Sequence, residues 1–338
     1  MPHNHPKFRV VVHGVNHFCQ KLPALLCSDE WDVRYHHWRS PAGLAAVVND
    51  LRGCDLVYTW GGVACMTKFL WLARCLGVKR LVMLWAGTDA LAARLRFAPR
   101  DVHPWIARQT HWAVSPWLAE EVHSLGIPCE PVQVSFVPTP AQPAPLPERF
   151  AVLVYLPNAK PNVRWLYGSD QVIEVARALP GIEFVVIGVN SEQGLEVPPN
   201  VRLHGWVNDL APVLRRTTVL WRPVRHDGLS FMVLEALAQG RHVLYSYPFP
   251  ACLRATSAAA AGHELERLFA LHATGALEPN ELGVQLMARD FSPESVRSEL
   301  LNRWKQMILA PDSKPAAHDV RQEAWTPTAS SLIKVSKR

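Results

Sequence analysis

Asp227 and Glu235 stand eight residues apart in the stretch Arg225–Gly240, RHDGLSFMVLEALAQG. The first acid precedes a glycine, and the second lies inside an apolar run. A loop followed by a helix would present both carboxylates to one ligand. The N–H groups that open a helix are unpaired and carry partial positive charge, so a helix starting near Leu229 or Ser230 would seat an anion. Gly228 would let the backbone approach that anion closely. Asp227 would stand at the mouth of the seat, and Glu235 about one and a half turns into the helix. A carboxylate facing a cleft there accepts two hydroxyl hydrogen bonds, as from a ribose. The plainer alternative is that Asp227 caps the helix and Glu235 is solvated.

The elements that must position these acids alternate along the chain. FRVVVH (Phe8–His13), ending at Gly14, reads as a buried strand followed by a tight turn. CDLVYTWGG (Cys54–Gly62) and KRLVMLWAGTD (Lys79–Asp89) repeat that plan. THWAVSPWLAEEVHSLG (Thr110–Gly126) reads as a strand and a helix, with Ser115 at the cap, Pro116 at the first helical position and Gly126 as the stop. VPTPAQPAPLPER (Val137–Arg149) is too rich in proline for a helix or a central strand and reads as a stiff linker. A second alternating series follows it: FAVLVYLP, SDQVIEVARAL, IEFVVIGVN, VRLHGWV, TTVLWRPV, SFMVLEALAQG and RHVLYSYP. From Pro293 an amphipathic helix is expected, and after Ala310 a polar, flexible tail. Strands alternating with helices predict parallel sheets covered on both faces, and a ligand cleft at the C-terminal ends of the strands. Asp89 falls at such an edge, where it would cap the next helix or face the cleft.

Composition bounds the class. The 338 residues, 49% hydrophobic and 19% charged, suit two globular domains. The net charge of +6 fits an anionic ligand or an anionic membrane surface. Nucleic acid is not expected as a partner, because the basic residues are scattered rather than blocked. Seven cysteines without a C-x-x-C pair, mostly in apolar surroundings, read as reduced, buried thiols of a cytoplasmic chain. No signal peptide and no membrane-spanning helix are expected. His3, His5, His36 and His37 lack a second ligand set at zinc-like spacing and read as solvated. There is no P-loop, no G-x-G-x-x-G, no G-x-S-x-G elbow and no D-x-D.

HDGLSFMVLEALAQGRHVLYS resembles the acid-x7-Glu signature of retaining GT-B glycosyltransferases, in particular glycosyltransferase family four. The usual first acid is glutamate, and Asp227 replaces it here with a shorter side chain. FVVIG, VRLHGWV and TTVLWRP match in order, so the resemblance covers Ala151–Pro250; MLWAGTD and VSPWLAEEVHSLGI match more loosely. It implies an α/β, GT-B fold of two Rossmann-like domains, with parallel sheets facing across a cleft. The expected divisions are 1–137 (acceptor side), 138–149 (linker), 150–291 (nucleotide-sugar binding), 292–310 (a helix returning to the first domain) and 311–338 (tail).

By that resemblance Glu235 binds the donor's ribose, and Asp227 meets hydroxyls of the transferred sugar. The N–H groups of Leu229 and Ser230 hold the distal phosphate, and the base lies near Gly188, Trp206 and Val207. A departing diphosphate needs positive charge. Lys160 and Arg164, in YLPNAKPNVRWLYGSD, are the candidates, although their spacing departs from the usual pattern; Arg222 and Arg225 are runners-up. In GVNHF (Gly14–Phe18), Gly14 allows close approach, and Asn16 and His17 reach the sugar or the acceptor. Asp89 orients the acceptor hydroxyl or steadies charge on the sugar ring. No metal or cofactor is expected. The implied activity is metal-independent, hexosyltransferase-like transfer from a nucleotide-diphosphate sugar to a glycan or lipid-linked acceptor, in glycan, polysaccharide or glycolipid synthesis. The basic excess and the basic C-terminal end suggest a peripheral encounter at the inner face of a membrane. The alternatives are a sugar-nucleotide epimerase of the same fold, a non-catalytic sugar-nucleotide-binding scaffold, and a Rossmann oxidoreductase disfavoured by the missing fingerprint.

Overall fold

The computed structural model describes residues 7–36, 40–140, 142–190 and 195–310. His3, His5, His37 and the tail after Ala310 lie outside the described residues. The chain folds as two compact units: residues up to Val134 together with the segment from Pro293, and residues Ser135–Ser292.

The first unit is built on strands β1 (Phe8–Gly14), β2 (Trp31–Tyr35), β3 (Leu56–Trp60), β4 (Leu81–Trp85), β5 (Thr110–Ala113) and β6 (Glu130–Pro131). They form one parallel sheet in the order β2-β1-β3-β4-β5-β6. Every residue of LVYTW in β3 and LVMLW in β4 is buried. That is the mark of parallel strands covered by helices on both faces, and it explains why these runs show no polar alternation.

The second unit repeats the plan with β7 (Ala151–Tyr155), β8 (Glu183–Ile187), β9 (Val201–Leu203), β10 (Val219–Arg222), β11 (His242–Tyr245) and β12 (Leu253–Arg254). The order is β12-β11-β10-β7-β8-β9, again with parallel pairing throughout. The chain steps outward from β7 to β9 and then returns to lay β10 beside β7. The strand order therefore reverses between β7 and β10. In the first unit it reverses between β1 and β3. Open parallel sheets bind ligands outside the carboxyl ends of the strands at such reversals, because the two connections leave in opposite directions and open a crevice.

Two further segments complete these units. The proline-rich stretch packs onto the second unit: Leu146 joins its core, the fully buried Arg241 donates to the Pro145 carbonyl at 2.8 Å, and His272 donates to the Pro147 carbonyl at 2.8 Å. Burial without an acid partner lowers the Arg241 pKa to about 10. The helix Pro293–Leu309 packs within the first unit. Its Trp304 is fully buried against Trp31 and Tyr58, and Arg297 donates to the Leu25 carbonyl.

Candidate active site

The reversal point of the second unit is lined by the loop after β7 and the loop after β10. Arg222 ends β10, and the register pairs it with Tyr245 at the end of β11. A buried arginine closing a strand needs an anion, and Asp227 supplies it five residues later. Arg222 Nε lies 2.6 Å from Asp227 Oδ2, and the Tyr245 hydroxyl donates to the same oxygen at 3.0 Å. That hydroxyl also lies 3.2 Å from the Gly228 carbonyl. Burial works against the charge on Arg222, yet the Asp227 carboxylate holds its pKa above the ordinary arginine value. Burial, and then the same carboxylate, push the Tyr245 phenol well above its usual range. The Tyr247 hydroxyl accepts from Asp227 N at 3.3 Å and donates to the Arg225 carbonyl at 3.4 Å, so the loop is stitched at both ends.

The helix begins at Phe231, with Ser230 as its extended, unbonded N-cap. This corrects the expected start by one or two residues. Leu229 precedes the cap, so of the two expected phosphate donors only Ser230 belongs to the helix opening, and the N–H groups of Phe231 and Met232 follow it. Asp227 is not the cap, because its carboxylate is turned to Arg222 and Tyr245. Within FMVLEALA the one polar side chain is Glu235, which is half-buried while Val233, Leu234, Ala236 and Leu237 are buried.

Four cations surround this edge, and the geometry sorts them. Arg222 is committed to Asp227. Arg225 is committed to Asp170, at 2.7 and 2.9 Å, and stacks on Trp165 at 4.1 Å. Lys160, exposed, caps the helix Pro161–Leu166, and Arg164, only 8% exposed, lies within it. Neither makes an ion pair among the described residues. They are the two cations left available to an anionic ligand.

Gly188 follows β8 with a φ of +95°, and a Cβ there would lie 2.3 Å from the Leu156 carbonyl oxygen. Its N–H donates to the Gly205 carbonyl at 2.6 Å, which ties the ends of β8 and β9 together. Trp206 next to it is 73% exposed and donates to Asn208 at 2.8 Å; Val207 is half-buried.

In the first unit the candidates gather at the C-terminal edge of β1, β3 and β4. Gly14 has a φ of +134°, and a Cβ would lie 2.0 Å from the Trp60 carbonyl oxygen, so only glycine fits. Asn16 accepts a hydrogen bond from the Tyr35 hydroxyl, and His17, exposed, lies 3.5 Å from Lys21 Nζ. Asp89 opens the helix Thr88–Arg96 and accepts from four backbone N–H groups: Gly62 at 2.7 Å, Gly87 at 2.8 Å, Ala90 at 3.0 Å and Ala86 at 3.1 Å. Its carboxylate ties the loop after β3 to the loop after β4, which extends the capping role to a second loop.

Tyr245, Tyr247 and Tyr167 were not singled out by sequence. Arg222 sits over the Tyr167 ring at 5.5 Å. A strand register would have found Tyr245, since it pairs with Arg222 across neighbouring strands. Among the described residues no group of three or more His, Cys, Asp or Glu could hold a metal ion, and no helix is long and apolar enough to cross a membrane.

Residues 152–255 match the family model described as glycosyl transferases group 1. A comparison with curated proteins found no match. Among solved structures the chain is similar to a glycosyltransferase from Rickettsia africae, at 10% identity and a TM-score of 0.64 over 91% of this chain and 100% of that one. It is similar to the Anabaena protein HepE in complex with UDP and glucose, at 12% identity and 0.62 over 88% and 100%. It is also similar to sucrose-phosphate synthase from Thermosynechococcus elongatus, at 13% identity and 0.63 over 90% and 100%. The fold is GT-B. The family match runs from β7 to β12 of this GT-B chain, so it contains Lys160, Arg164, Gly188, Trp206, Asp227 and Glu235, whereas Gly14, Asn16, His17 and Asp89 lie outside it.

Proposed function

We propose that this chain is a retaining glycosyltransferase that moves a sugar from a nucleotide-diphosphate donor to an acceptor hydroxyl, in glycan, polysaccharide or glycolipid synthesis. One arrangement carries the reading. Two cations without acid partners, Lys160 and Arg164, and the open start of the helix Phe231–Ala238 flank the same reversal of strand order, with Glu235 on that helix. A diphosphate fits between positive groups of this kind, and a ribose fits a half-buried glutamate.

Glu235 takes the ribose hydroxyls. The N–H groups at Ser230 and the first helical turn take the distal phosphate. Lys160 and Arg164 offset the charge that grows on the diphosphate as its bond to the sugar C1 breaks, and the acceptor hydroxyl attacks C1 from the face the diphosphate leaves. Asp227 meets the sugar as the anionic half of an ion pair, held in place by Arg222 and Tyr245. The base lies by Gly188, Trp206 and Val207. Gly14, Asn16 and His17 serve the sugar and the acceptor, and Asp89 serves them indirectly, through its hold on the loops after β3 and β4. No metal is needed, because fixed cations and a helix terminus already face the leaving group.

The first donors to test are uridine diphosphate sugars, since HepE was crystallised with UDP and glucose. A thermal-shift screen of nucleotide sugars should show one donor raising the midpoint by mass action. With that donor, Glu235→Ala should weaken calorimetric binding at least tenfold, and the product should keep the donor's anomeric configuration. Unchanged affinity and turnover in Glu235→Ala would overturn the reading. Donor binding without transfer across an acceptor panel would leave a sugar-nucleotide-binding scaffold, and a new sugar nucleotide formed without acceptor would indicate an epimerase.

A further inference from the structure

The chain's net positive charge arises in one stretch of its sequence. Residues 62–112 hold eight lysines and arginines and two acids, a net of +6, which is the net charge of the whole chain. Of 35 basic and 29 acidic residues overall, 27 of each remain elsewhere. One of the two acids, Asp89, has its carboxylate enclosed by backbone N–H groups. The other, Asp101, lies 3.9 Å from Arg100.

Four of these cations, Lys68, Arg74, Arg94 and Arg96, stand on two helices of the first unit, whereas Arg80 donates to the Met307 and Ala310 carbonyls. The helix Lys68–Cys75 connects β3 to β4, and the helix Thr88–Arg96 belongs to the connection from β4 to β5. Both connections step the same way across the parallel sheet, so right-handed crossovers place both helices on the same side of it. Trp71, on the first, is 62% exposed, and Leu95, on the second, is 74% exposed. Lys68 and Arg74 flank Trp71, and Arg94 and Arg96 flank Leu95; all four are exposed. Glu120 and Glu121, on the helix Pro116–His123 beside it, bound the patch on one side.

We propose that this face docks on the surface of an anionic lipid bilayer. Interleaved cations and protruding apolar tips match that surface: the cations meet acidic headgroups, while a tryptophan and a leucine enter the boundary with the acyl chains. A nucleic acid would satisfy the cations but leaves Leu95 without a role. A second copy would bring like charge against like charge. Because it uses no residue of the proposed donor site, this inference and the glycosyltransferase reading fail independently.

The test is co-sedimentation of the full chain with phosphatidylcholine vesicles, with and without phosphatidylglycerol. The wild-type chain should bind only the anionic vesicles, less tightly as salt rises. Each lysine or arginine near such a surface is worth about fivefold, so Arg94→Glu with Arg96→Glu should weaken binding at least tenfold. Trp71→Ser with Leu95→Ser should weaken it severalfold at unchanged salt dependence. The residues are exposed, so both variants should keep the wild-type melting midpoint. Equal binding to both kinds of vesicle, no binding, or binding unmoved by these substitutions would overturn the proposal. So would binding lost on removing residues 311–338 but kept in the charge-reversed chain. Preferential capture of an oligonucleotide or an acidic protein by the same arginines, with vesicles ignored, would overturn it too.

Discussion

Arg222 and Asp227 meet at 2.6 Å where β10 gives way to its loop, and Tyr245 closes the pair from the neighbouring strand. Removing one partner of a buried pair strands the other, at a cost of about 3–5 kcal/mol. Arg222→Met should therefore lower the urea unfolding midpoint sharply. Arg222→Met with Asp227→Leu should recover much of the loss, because no unpaired charge remains. Equal destabilisation by the single and double variants would mean that the two groups are not energetically coupled.

Lys160 and Arg164 separate from Arg225 in their expected effects. Charge-assisted hydrogen bonds to a phosphate are worth about 1.5–3 kcal/mol, so Arg164→Ala should weaken nucleoside diphosphate binding by about ten- to a hundredfold. Affinity for the parent nucleoside should stay the same. Arg225→Ala should instead loosen the loop that its salt bridge to Asp170 and its hydrogen bond to the Trp165 carbonyl hold in place. Calorimetric titration of both ligands against both variants decides the assignment.

Asp89 offers a test between scaffold and chemistry. Its carboxylate accepts from Gly62, Ala86, Gly87 and Ala90. Asp89→Ala orphans these donors at about 1–3 kcal/mol or more, so the melting midpoint should fall while kcat of the folded enzyme stays within a few-fold. A hundredfold loss of kcat at an unchanged midpoint would place Asp89 against the reacting atoms instead.

Acid should weaken the first unit through His111. This buried ring accepts from Trp85 Nε1 at 3.0 Å through Nδ1 and faces the Ile106 carbonyl through Nε2, so it is held neutral. Burial lowers its pKa to about 4. The unfolded chain, with an ordinary histidine near 6.5, then binds more protons between those values. Stability is complete above the unfolded value and declines as pH falls toward 4, by an amount on the order of 3 kcal/mol. His111→Gln should flatten that part of the melting-midpoint profile against pH. An unchanged slope would locate the titration elsewhere; the stacked ring of His13, also lowered to about 4 by burial, is the next group to examine.

The strands and the alternation were legible because parallel strands in a covered sheet are written as unbroken apolar runs, such as LVMLW and HVLY. The candidate loops were legible because each follows such a run. Partnership was not legible. Which of four cations keeps its charge for a ligand depends on Asp170 and Asp227, and Asp170 lies fifty-five residues from the arginine it binds. The helix start was misjudged because a glycine and a serine in sequence do not say which residue first takes helical angles. The shared side of Lys68, Arg74, Arg94 and Arg96 was hidden for a similar reason: basic residues spaced along the chain come to one side only when two crossovers fold onto it.

The helix Pro293–Leu309 sets an order of assembly. The second unit is continuous in sequence from Ser135 to Ser292 and can close as soon as it leaves the ribosome. The first unit begins earlier but waits for Trp304, which fills its core beside Trp31 and Tyr58. The half of the molecule made first is therefore the half finished last. A chain truncated before Pro293 should hold a folded second unit and an incomplete first one.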